Sequence, residues 1–423
     1  MTVGLSFVGF LLVGLPISLT LAMLALIYIV VSGNTVLLQS YPPQMFGALE
    51  NYGMLALPLF ILLGEFMNAG GIGRRLMAFA LALLGPMRGG LAYVNLGANM
   101  MMASILGSTV AQITIMSRLA VPEMERAGYP KDVSVVITAA GGLLAPIIPP
   151  SMMFIIFGVI AQVPIGDMFI AGIIPGIVIF VAFCGIIGWL SHRHDFPRSP
   201  SLTRQERVRA VVDALPAALI PASIIASILG GFATPTEAAT VASLLAILIG
   251  LFVYREMTLA DIWPALVNAA RGAAVVLFLI ATAQLFSWVI TFENIPATVA
   301  AYMSSLTDSP ILFLLMMNLL LLGLGMITDP IPAIILIVPV FLPVATDVYG
   351  IDPIHFGIIL CINLTLGLLT PPVGTGLFAA SLLTGVRAER IAYLLIPFLI
   401  AAFAVILLIV VWPSLTLALV RGL

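Results

Sequence analysis

Charged residues are scarce in this sequence. Asp, Glu, Lys and Arg make up 8% of its 423 residues, whereas hydrophobic residues make up 62%. A soluble domain carries roughly a quarter charged residues, and no water-facing fold could bury so much apolar side chain. The composition therefore excludes a soluble protein and predicts a chain embedded in a lipid bilayer, whose apolar runs of about 20 residues cross the hydrocarbon. We expect the bilayer as a partner, and no nucleic acid.

Groups that carry enzyme chemistry are also scarce. The two cysteines, Cys184 and Cys361, lie inside apolar stretches, which favours small buried side chains over a disulfide or a metal pair. An intramembrane enzyme would need a nucleophile with its base, or two membrane aspartates, and only Asp329 lies deep in an apolar run. We therefore expect no catalytic residues and no cofactor, and the favoured class is a secondary transporter.

Three prolines and one glycine of the first half have a residue of the same type 222 positions later in the chain. The matching pairs are Pro149 and Pro371, Pro150 and Pro372, Pro175 and Pro397, and Gly128 and Gly350. Four coincidences in one frame indicate a duplicated half-protein rather than a short repeat. We predict a first repeat over 1–190, a basic linker over 191–210 and a second repeat over 211–423.

Each predicted repeat contains a re-entrant helical hairpin and a broken helix. The hairpins are predicted at 91–127 and 310–346, with interruptions near Gly107–Ser108 and Thr328–Asp329. The broken helices are predicted at 132–162 and 353–383, with breaks from Pro146 to Ser151 and from Thr370 to Gly374. Each half then crosses the membrane five times. Because five is an odd number, the second half has the opposite orientation in the membrane to the first. The predicted fold is an all-α polytopic membrane protein with two inverted-topology repeats.

The basic residues predict the orientation. The linker from His192 to Arg209 is rich in arginine and is therefore expected on the cytoplasmic side. Counting crossings outward from it places all but two of the 16 Lys and Arg residues on that side; the exceptions are Arg118, within the first hairpin, and Arg421. We therefore predict a multi-pass protein of the bacterial inner membrane with both termini periplasmic. The segment 1–13 is too short to span alone, because a helix rises ~1.5 Å per residue.

The matched breaks are the first candidate site. Backbone that leaves the helix inside a bilayer needs protein or a watery cavity around it, and breaks at corresponding positions of two halves typically mark a transporter's midplane site. The alternative is that they are simple proline kinks. The hairpin tips add hydroxyls and one carboxylate, which are the hard oxygen ligands that an alkali cation needs. Asp329 is either such a ligand or the N-cap of the helix that begins at Pro330, and the two roles are compatible.

Two other polar residues stand in apolar surroundings. Glu65 interrupts the apolar run LFILLGEFM, where it is interpreted as a partner for a neighbouring helix, with a functional role as the alternative. Arg118 either meets an anionic substrate or extends to the cytoplasmic surface.

Several motifs, in order along the chain, resemble one known family. They are GSTVAQ (107–112), PEMERAGY (122–129), APIIPPS (145–151), AGIIPG (171–176), GFATPTEA (231–238), GIDPIHFG (350–357) and NLTLGLLTPPVG (363–374). The ordered set resembles the large membrane (M) subunit of TRAP-type transporters, the tripartite ATP-independent periplasmic transporters. The chain departs from the family at Leu106, where serine is frequent, and at Gln112, where an acidic residue is frequent.

The resemblance implies an elevator-type transport domain, made of two hairpins and two broken helices, that moves against a scaffold. It also implies sodium-coupled uptake of an organic acid such as a C4-dicarboxylate, sialic acid or another carboxylate, with sodium ions as the coupling ions. Two partners are implied: a periplasmic substrate-binding (P) protein and a small four-helix membrane (Q) subunit. We expect the Q subunit to be a separate chain, because no four-helix segment precedes Met1.

The resemblance also implies ligand sets. The first sodium site would use Gly107, Ser108, Gly142, Ala145 and Pro146. The second would use Gly325, Thr328, Asp329, Thr365, Gly367 and Thr370. The substrate candidates are Ser108, Thr109, Ser151, Asp329 and Thr375. The main alternative function is a stand-alone sodium/carboxylate symporter of related elevator fold; an intramembrane enzyme and a channel are weaker alternatives.

Overall fold

A computed structural model describes residues 6–7, 9–10, 13–34, 36–50, 52–85, 87–193, 196–197 and 203–422. These residues form α-helices, and no β-strand occurs among them, which confirms the all-α fold. The predicted segment 1–13 and the middle of the predicted linker 191–210 lie largely outside the described residues. Seven helices in the described part of the chain are long and apolar enough to cross a membrane, or up to eight if the bent pair Gly53–Ala69 and Ile72–Leu84 forms one span.

The helices are numbered here in chain order. Those before the linker are α1 (Ile17–Ser32), α2 (Leu37–Gly47), α3 (Ala56–Ala69), α4 (Ile72–Leu84), α5 (Gly90–Leu106), α6 (Thr109–Arg126), α7 (Lys131–Gly142), α8 (Met152–Ile160) and α9 (Ile165–Arg193). Those after it are α10 (Arg204–Leu229), α11 (Pro235–Leu248), α12 (Leu259–Phe292), α13 (Ile295–Leu306), α14 (Pro310–Ile327), α15 (Pro330–Pro343), α16 (Pro353–Gly367), α17 (Thr375–Thr384), α18 (Ala388–Val411) and α19 (Ser414–Gly422).

Proline and glycine account for the helix breaks. Between α7 and α8 the chain contains Pro146, Pro149 and Pro150, each of which lacks the backbone N–H that a helix requires, and α8 begins only after Ser151. Between α16 and α17 the chain turns through Pro371 and Pro372 to Gly374, which has a left-handed φ of 51°. Both non-helical segments contain the predicted breaks and begin slightly before them.

The two interruptions near the hairpin tips are short turns. Gly107, with a φ of 57°, reverses the chain between α5 and α6. Between α14 and α15 the connection is Thr328–Asp329, and Asp329 Oδ1 accepts the backbone N–H of Ile331 at 3.1 Å. Asp329 is therefore the N-cap of α15, and Pro330 occupies the first helical turn, where the missing N–H costs nothing.

The two broken helices lie at the centre of the molecule. Every residue from Ser134 to Gly142 in α7 is buried, and so is every residue from Ile354 to Gly367 in α16. The second arm of each hairpin contacts a broken helix from either half of the chain: α6 packs against α7 and α17, and α15 packs against α16 and α8. The first hairpin and the second half of the chain are thus joined through one core.

The helix α10 differs from the sequence expectation. It begins at Arg204, within the predicted linker 191–210, where Thr203 and Glu206 form a capping box. It then continues through Pro216, although a proline inside a helix ordinarily kinks or ends it. The Tyr254 hydroxyl accepts the Ala217 N–H at 3.0 Å and donates to the Asp213 carbonyl at 2.8 Å. A distant side chain therefore bridges the gap that proline opens in the helix, which local sequence could not reveal.

Candidate functional site

The first hairpin tip lies against the start of α8. A Cβ on Gly107 would stand 3.2 Å from the backbone nitrogen of Met152 and 3.4 Å from its Cβ. This close approach and the left-handed φ of Gly107 both favour glycine. The structure therefore brings the predicted tip of the first hairpin to the end of the first helix break.

The hydroxyls at this tip differ in their surroundings. Ser108 is exposed and extended, and its side chain does not cap α6. Thr109 is 3% exposed, and its Oγ1 has no hydrogen-bond partner among the described residues. A buried hydroxyl without a partner is uncommon and calls for a bound water, ion or ligand.

The predicted carbonyl ligands of the first sodium site lie in the buried break beneath this tip. Gly142, Ala145 and Pro146 are all buried. The Gly142 carbonyl accepts the Ala145 N–H at 3.2 Å, and the Pro146 carbonyl accepts the Ser151 hydroxyl at 2.5 Å. A carbonyl oxygen has two lone pairs, so each of these can still bind a cation. Ser151 also caps α8 by accepting the Phe154 N–H at 3.4 Å, so its hydroxyl is engaged on both sides.

The second hairpin tip makes direct backbone contact with the second broken helix. A Cβ on Gly367 would stand 2.3 Å from the carbonyl carbon of Gly325, and a Cβ on Gly325 would stand 2.7 Å from the Leu364 oxygen. The Gly374 N–H donates to the Met326 carbonyl at 3.0 Å, which ties the tip to the break. Only residues without side chains allow α14 and α16 to approach this closely.

Three predicted threonine ligands share one arrangement at this second site. The hydroxyls of Thr328, Thr365 and Thr370 donate to the carbonyls four residues earlier at 2.9, 2.7 and 2.8 Å, respectively. A hydroxyl that donates its proton to its own helix keeps its oxygen lone pairs free to accept. Thr365 and Gly367 are buried, Thr328 and Thr370 are partly buried, and Asp329 and Thr375 are exposed.

A cavity of about 240 Å³ lies between the first hairpin tip and α3. Its residues are Phe60, Ile61, Gly64, Glu65 and Asn68 of α3, Gly107, Ala111 and Ile115 of the first hairpin, and Pro150, Met152 and Ile155 of the break and α8. The first turns of α6 and α8 therefore border one cavity. Helix N-termini carry free N–H groups and a positive potential, so this wall of the cavity favours an anion.

Sequence reasoning did not predict the contribution of α3 to this cavity. Glu65 was noted for its apolar surroundings, but the structure gives it no hydrogen bond or ion pair with any residue it describes. Asn68 gave no signal in the sequence at all. The position of both residues opposite the tip depends on packing between segments some 40 residues apart in the chain.

A buried polar network lies behind the first tip. The Gln112 Nε2 donates to the Asn99 carbonyl at 2.7 Å, to Asn99 Oδ1 at 2.9 Å and to the Gly141 carbonyl at 3.3 Å. Asn99 Nδ2 donates to Asn95 Oδ1 at 2.8 Å, and Asn95 Nδ2 donates to the Thr138 hydroxyl at 2.7 Å. Because Gln112 is an amide, it can donate to these three oxygens, whereas an ionised carboxylate would be repelled by them. The network fixes α5, α6 and α7 to one another.

The second half has a smaller counterpart. Asn363, in α16, donates through Nδ2 to the backbone carbonyl of Asn318 in α14 at 3.1 Å and also to its side-chain oxygen. Both residues are fully buried. An asparagine therefore joins each hairpin directly to its broken helix, since Asn95 bonds Thr138 in the first half and Asn363 bonds Asn318 in the second.

The family model for the DctM component of tripartite ATP-independent periplasmic transporters matches residues 5–415. The chain belongs to this family. The resemblance that the sequence motifs indicated is therefore confirmed, and the chain is a transporter subunit rather than an enzyme. Its apolar helices and its family together make it a multi-pass inner-membrane protein.

Curated relatives match most of this chain. It is 37% identical over 366 residues to the 2,3-diketo-L-gulonate TRAP transporter large permease protein YiaN of Escherichia coli, with 86% of each chain covered. It is 34% identical over 411 residues to the sialic acid TRAP transporter large permease protein SiaM of Vibrio cholerae, with 97% of this chain and 96% of that one covered. It is also 37% identical over 412 residues to the isethionate TRAP transporter permease protein DctMQ of Oleidesulfovibrio alaskensis. That alignment covers 96% of this chain but only 64% of the longer relative.

A solved structure shares the fold of this chain. The YdaH transporter of Alcanivorax borkumensis, whose crystal structure is described as having an unusual topology, superposes with a TM-score of 0.68. The superposition covers 92% of this chain and 90% of that chain at 14% sequence identity. At this identity the similarity establishes a common fold and nothing about substrate or coupling ion.

Proposed function

We propose that this chain is the large membrane subunit of a sodium-coupled TRAP transporter that takes up an organic acid delivered by a periplasmic binding protein. The observation that carries the proposal is the second tip, where Gly325 and Gly367 meet and three threonine oxygens keep free lone pairs. The names of the relatives, which include a keto-sugar acid and sialic acid, support an acidic substrate.

Sodium is the coupling ion in this proposal. The second site offers the hydroxyl oxygens of Thr328, Thr365 and Thr370 and the carboxylate of Asp329. Sodium, like other hard cations, prefers hydroxyl, carbonyl and carboxylate oxygen, and a carboxylate beside it offsets the cost of placing the ion in a low-dielectric region. At the first site the Gly142, Ala145 and Pro146 carbonyls and the Gly107–Ser108 tip serve in the same way.

The carboxylate of the substrate binds in the cavity beside the first tip. The N-termini of α6 and α8 border that cavity, and Ser108, whose hydroxyl does not cap its own helix, directly follows the lining residue Gly107. Sodium at the tips orders the hairpins against the broken helices and so assembles this anion site. Ordered binding of this kind makes the affinity for acid depend on sodium, and the affinity for sodium depend on acid, by the same factor.

The transport domain consists of the two hairpins and the two broken helices, and it moves as one unit against a scaffold. The mixed packing of α6 and α15 with broken helices of both halves supports one rigid unit. The two halves have opposite orientations in the membrane, and both termini are periplasmic. The small membrane subunit stabilises the scaffold, and the binding protein docks from the periplasm; the tripartite description of the family supports both partners.

Uptake into proteoliposomes tests this proposal. The chain is reconstituted with its small subunit, and uptake of radiolabelled acid is measured with and without the candidate binding protein, in inward sodium or potassium gradients. We expect uptake only when both sodium and the binding protein are present. Sodium-driven uptake by this chain alone would instead establish the stand-alone symporter, and uptake that ignores sodium would refute the coupling.

A further inference from the structure

The α3 wall of the 240 Å³ cavity has no role in the function proposed above. It carries the Glu65 carboxylate and the Asn68 amide, opposite the first hairpin tip. Glu65 is partly buried within an apolar helix, and no described residue gives it a hydrogen bond or a counter-charge. Ionisable groups in such surroundings are costly, and they usually mark a functional site in a membrane protein.

The two walls of the cavity have opposite electrostatic character. The wall formed by Gly107 and Met152 lies at two helix N-termini and attracts an anion. The α3 wall carries the carboxylate of Glu65, which accepts hydrogen bonds when it is ionised, and the amide of Asn68, which both donates and accepts them. A ligand that fills the cavity thus meets an anion-attracting end and an anion-repelling end.

We infer that Glu65 and Asn68 form a subsite for the hydroxyl-bearing end of the substrate, so that the transported acid is a hydroxylated monocarboxylate rather than a dicarboxylate. This inference rests on the proposed function, which places the substrate carboxylate at the first tip. Hydroxyl groups donate to the Glu65 carboxylate and supply the partners that it lacks. A second carboxylate on the substrate would stand beside the Glu65 carboxylate, and two like charges repel each other.

A purely structural role for Glu65 leads to a different expectation. In that case the conservative change Glu65→Gln alters protein stability and shifts the affinities for all acids in the same direction. A role in recognition shifts the affinities for hydroxylated and dicarboxylic acids in opposite directions. The sign of the two shifts therefore separates the alternatives.

The test uses two acids of equal chain length. D-Threonate is a four-carbon monocarboxylate with three hydroxyl groups, and succinate is the four-carbon dicarboxylate. The full chain is purified in lipid nanodiscs at saturating sodium, and each acid is titrated while its effect on the thermal unfolding midpoint is measured. We expect the wild-type protein to bind threonate at least about tenfold more tightly than succinate.

Glu65→Gln is expected to weaken threonate binding by about tenfold and to strengthen succinate binding by a similar factor. Asn68→Asp, which adds a second negative charge to the same wall, is expected to weaken succinate binding further. Glu389→Gln is the matched control, because it makes the same chemical change at an exposed position at the start of α18. It should leave both affinities unchanged.

Two results of the binding titrations overturn the inference. The first is that the wild-type protein binds succinate as tightly as threonate, or more tightly, or does not bind threonate at all. The second is that Glu65→Gln changes the affinities for both acids in the same direction. Sodium-driven uptake in proteoliposomes that prefers a dicarboxylate would overturn the subsite and leave the proposed function intact, whereas loss of sodium coupling would refute the proposed function itself.

Discussion

The contact between Gly325 and Gly367 gives the sharpest prediction about the second proposed sodium site. In Gly325→Ala, the new Cβ would stand 2.7 Å from the Leu364 oxygen, 3.1 Å from the Gly367 Cα and 3.2 Å from the Leu364 Cα. All three neighbours are backbone atoms, which cannot rotate away as a side chain can. The hairpin arm α14 must therefore move away from α16 by several tenths of an ångström, and the ligands on the two helices must separate.

Overpacking of this kind typically costs about 1–3 kcal/mol. The proposed sodium site takes ligands from both helices, so this cost is expected to fall on sodium binding. A coupling of that size corresponds to a loss of about 5- to 150-fold in apparent sodium affinity. We expect the sodium dissociation constant to rise by at least about tenfold.

Gly323→Ala is the matched control for this prediction. Gly323 lies in the same helix, two positions earlier, and a Cβ there would meet no atom within 4 Å. Replacing glycine by alanine inside a helix favours the helix by up to about 1 kcal/mol, so the control should be as stable as the wild type or more so. Its sodium affinity is expected to stay within about twofold of the wild-type value.

The assay is a sodium titration of the purified protein, read from the thermal unfolding midpoint with choline as the replacement cation. The initial rate of acid uptake, measured over the same series of sodium concentrations, gives a second measure of the sodium affinity. If Gly325→Ala and Gly323→Ala bind sodium equally well, the approach of α14 to α16 does not form the sodium site, and the reasoning is refuted.

Three further substitutions test other parts of the site. Thr328→Val removes a hydroxyl oxygen and should lower sodium affinity about tenfold, whereas Thr328→Ser should keep it; equal sodium titrations would contradict the ligand role. Asp329→Asn keeps a good helix cap but removes the charge, so the unfolding midpoint should hold while the sodium dissociation constant rises; an unchanged constant would leave Asp329 as a cap only. Gln112→Leu leaves buried oxygens of Asn99 and Gly141 without their donor, at a cost of about 1–3 kcal/mol, and should lower the unfolding midpoint; an unchanged midpoint would show that the network contributes no stability.

Local sequence signals accounted for the helix breaks and the caps. The prolines at 146, 149 and 150, and those at 371 and 372, remove backbone donors wherever they stand, so the breaks follow from the chain alone. Asp329 next to Pro330 has the residue types of an N-cap and a first helical turn, and the structure has that cap. Such features depend on a few neighbouring residues, which the sequence displays directly.

Features that depend on distant residues were not predicted. The sequence cannot show that Glu65 and Asn68 face the Gly107 tip, because that placement arises from packing of separate helices. The same holds for α10, which continues through Pro216, a residue type that ordinarily interrupts a helix. The Tyr254 hydroxyl bridges that position from another helix end and allows α10 to continue. A tertiary hydrogen bond thus overrides a strong local signal.

The Gln112 network is an intermediate case. The sequence showed that Gln112 departs from the family pattern, but gave no physical reason for an amide there. The structure supplies one, because the amide nitrogen lies among three oxygen acceptors from Asn99 and Gly141. The departure is accommodated by a neutral donor network, which only the spatial arrangement of α5, α6 and α7 reveals.

Accumulation of acid against its own gradient is the measurement that tests the central claim most directly. Proteoliposomes containing the chain, with the small subunit and the loaded binding protein that are proposed as its partners, are given equal acid inside and outside, with an inward sodium gradient as the sole driving force. The account predicts net accumulation of the acid that stops when the sodium gradient is dissipated by an ionophore. Accumulation that persists at the same rate in potassium would contradict it.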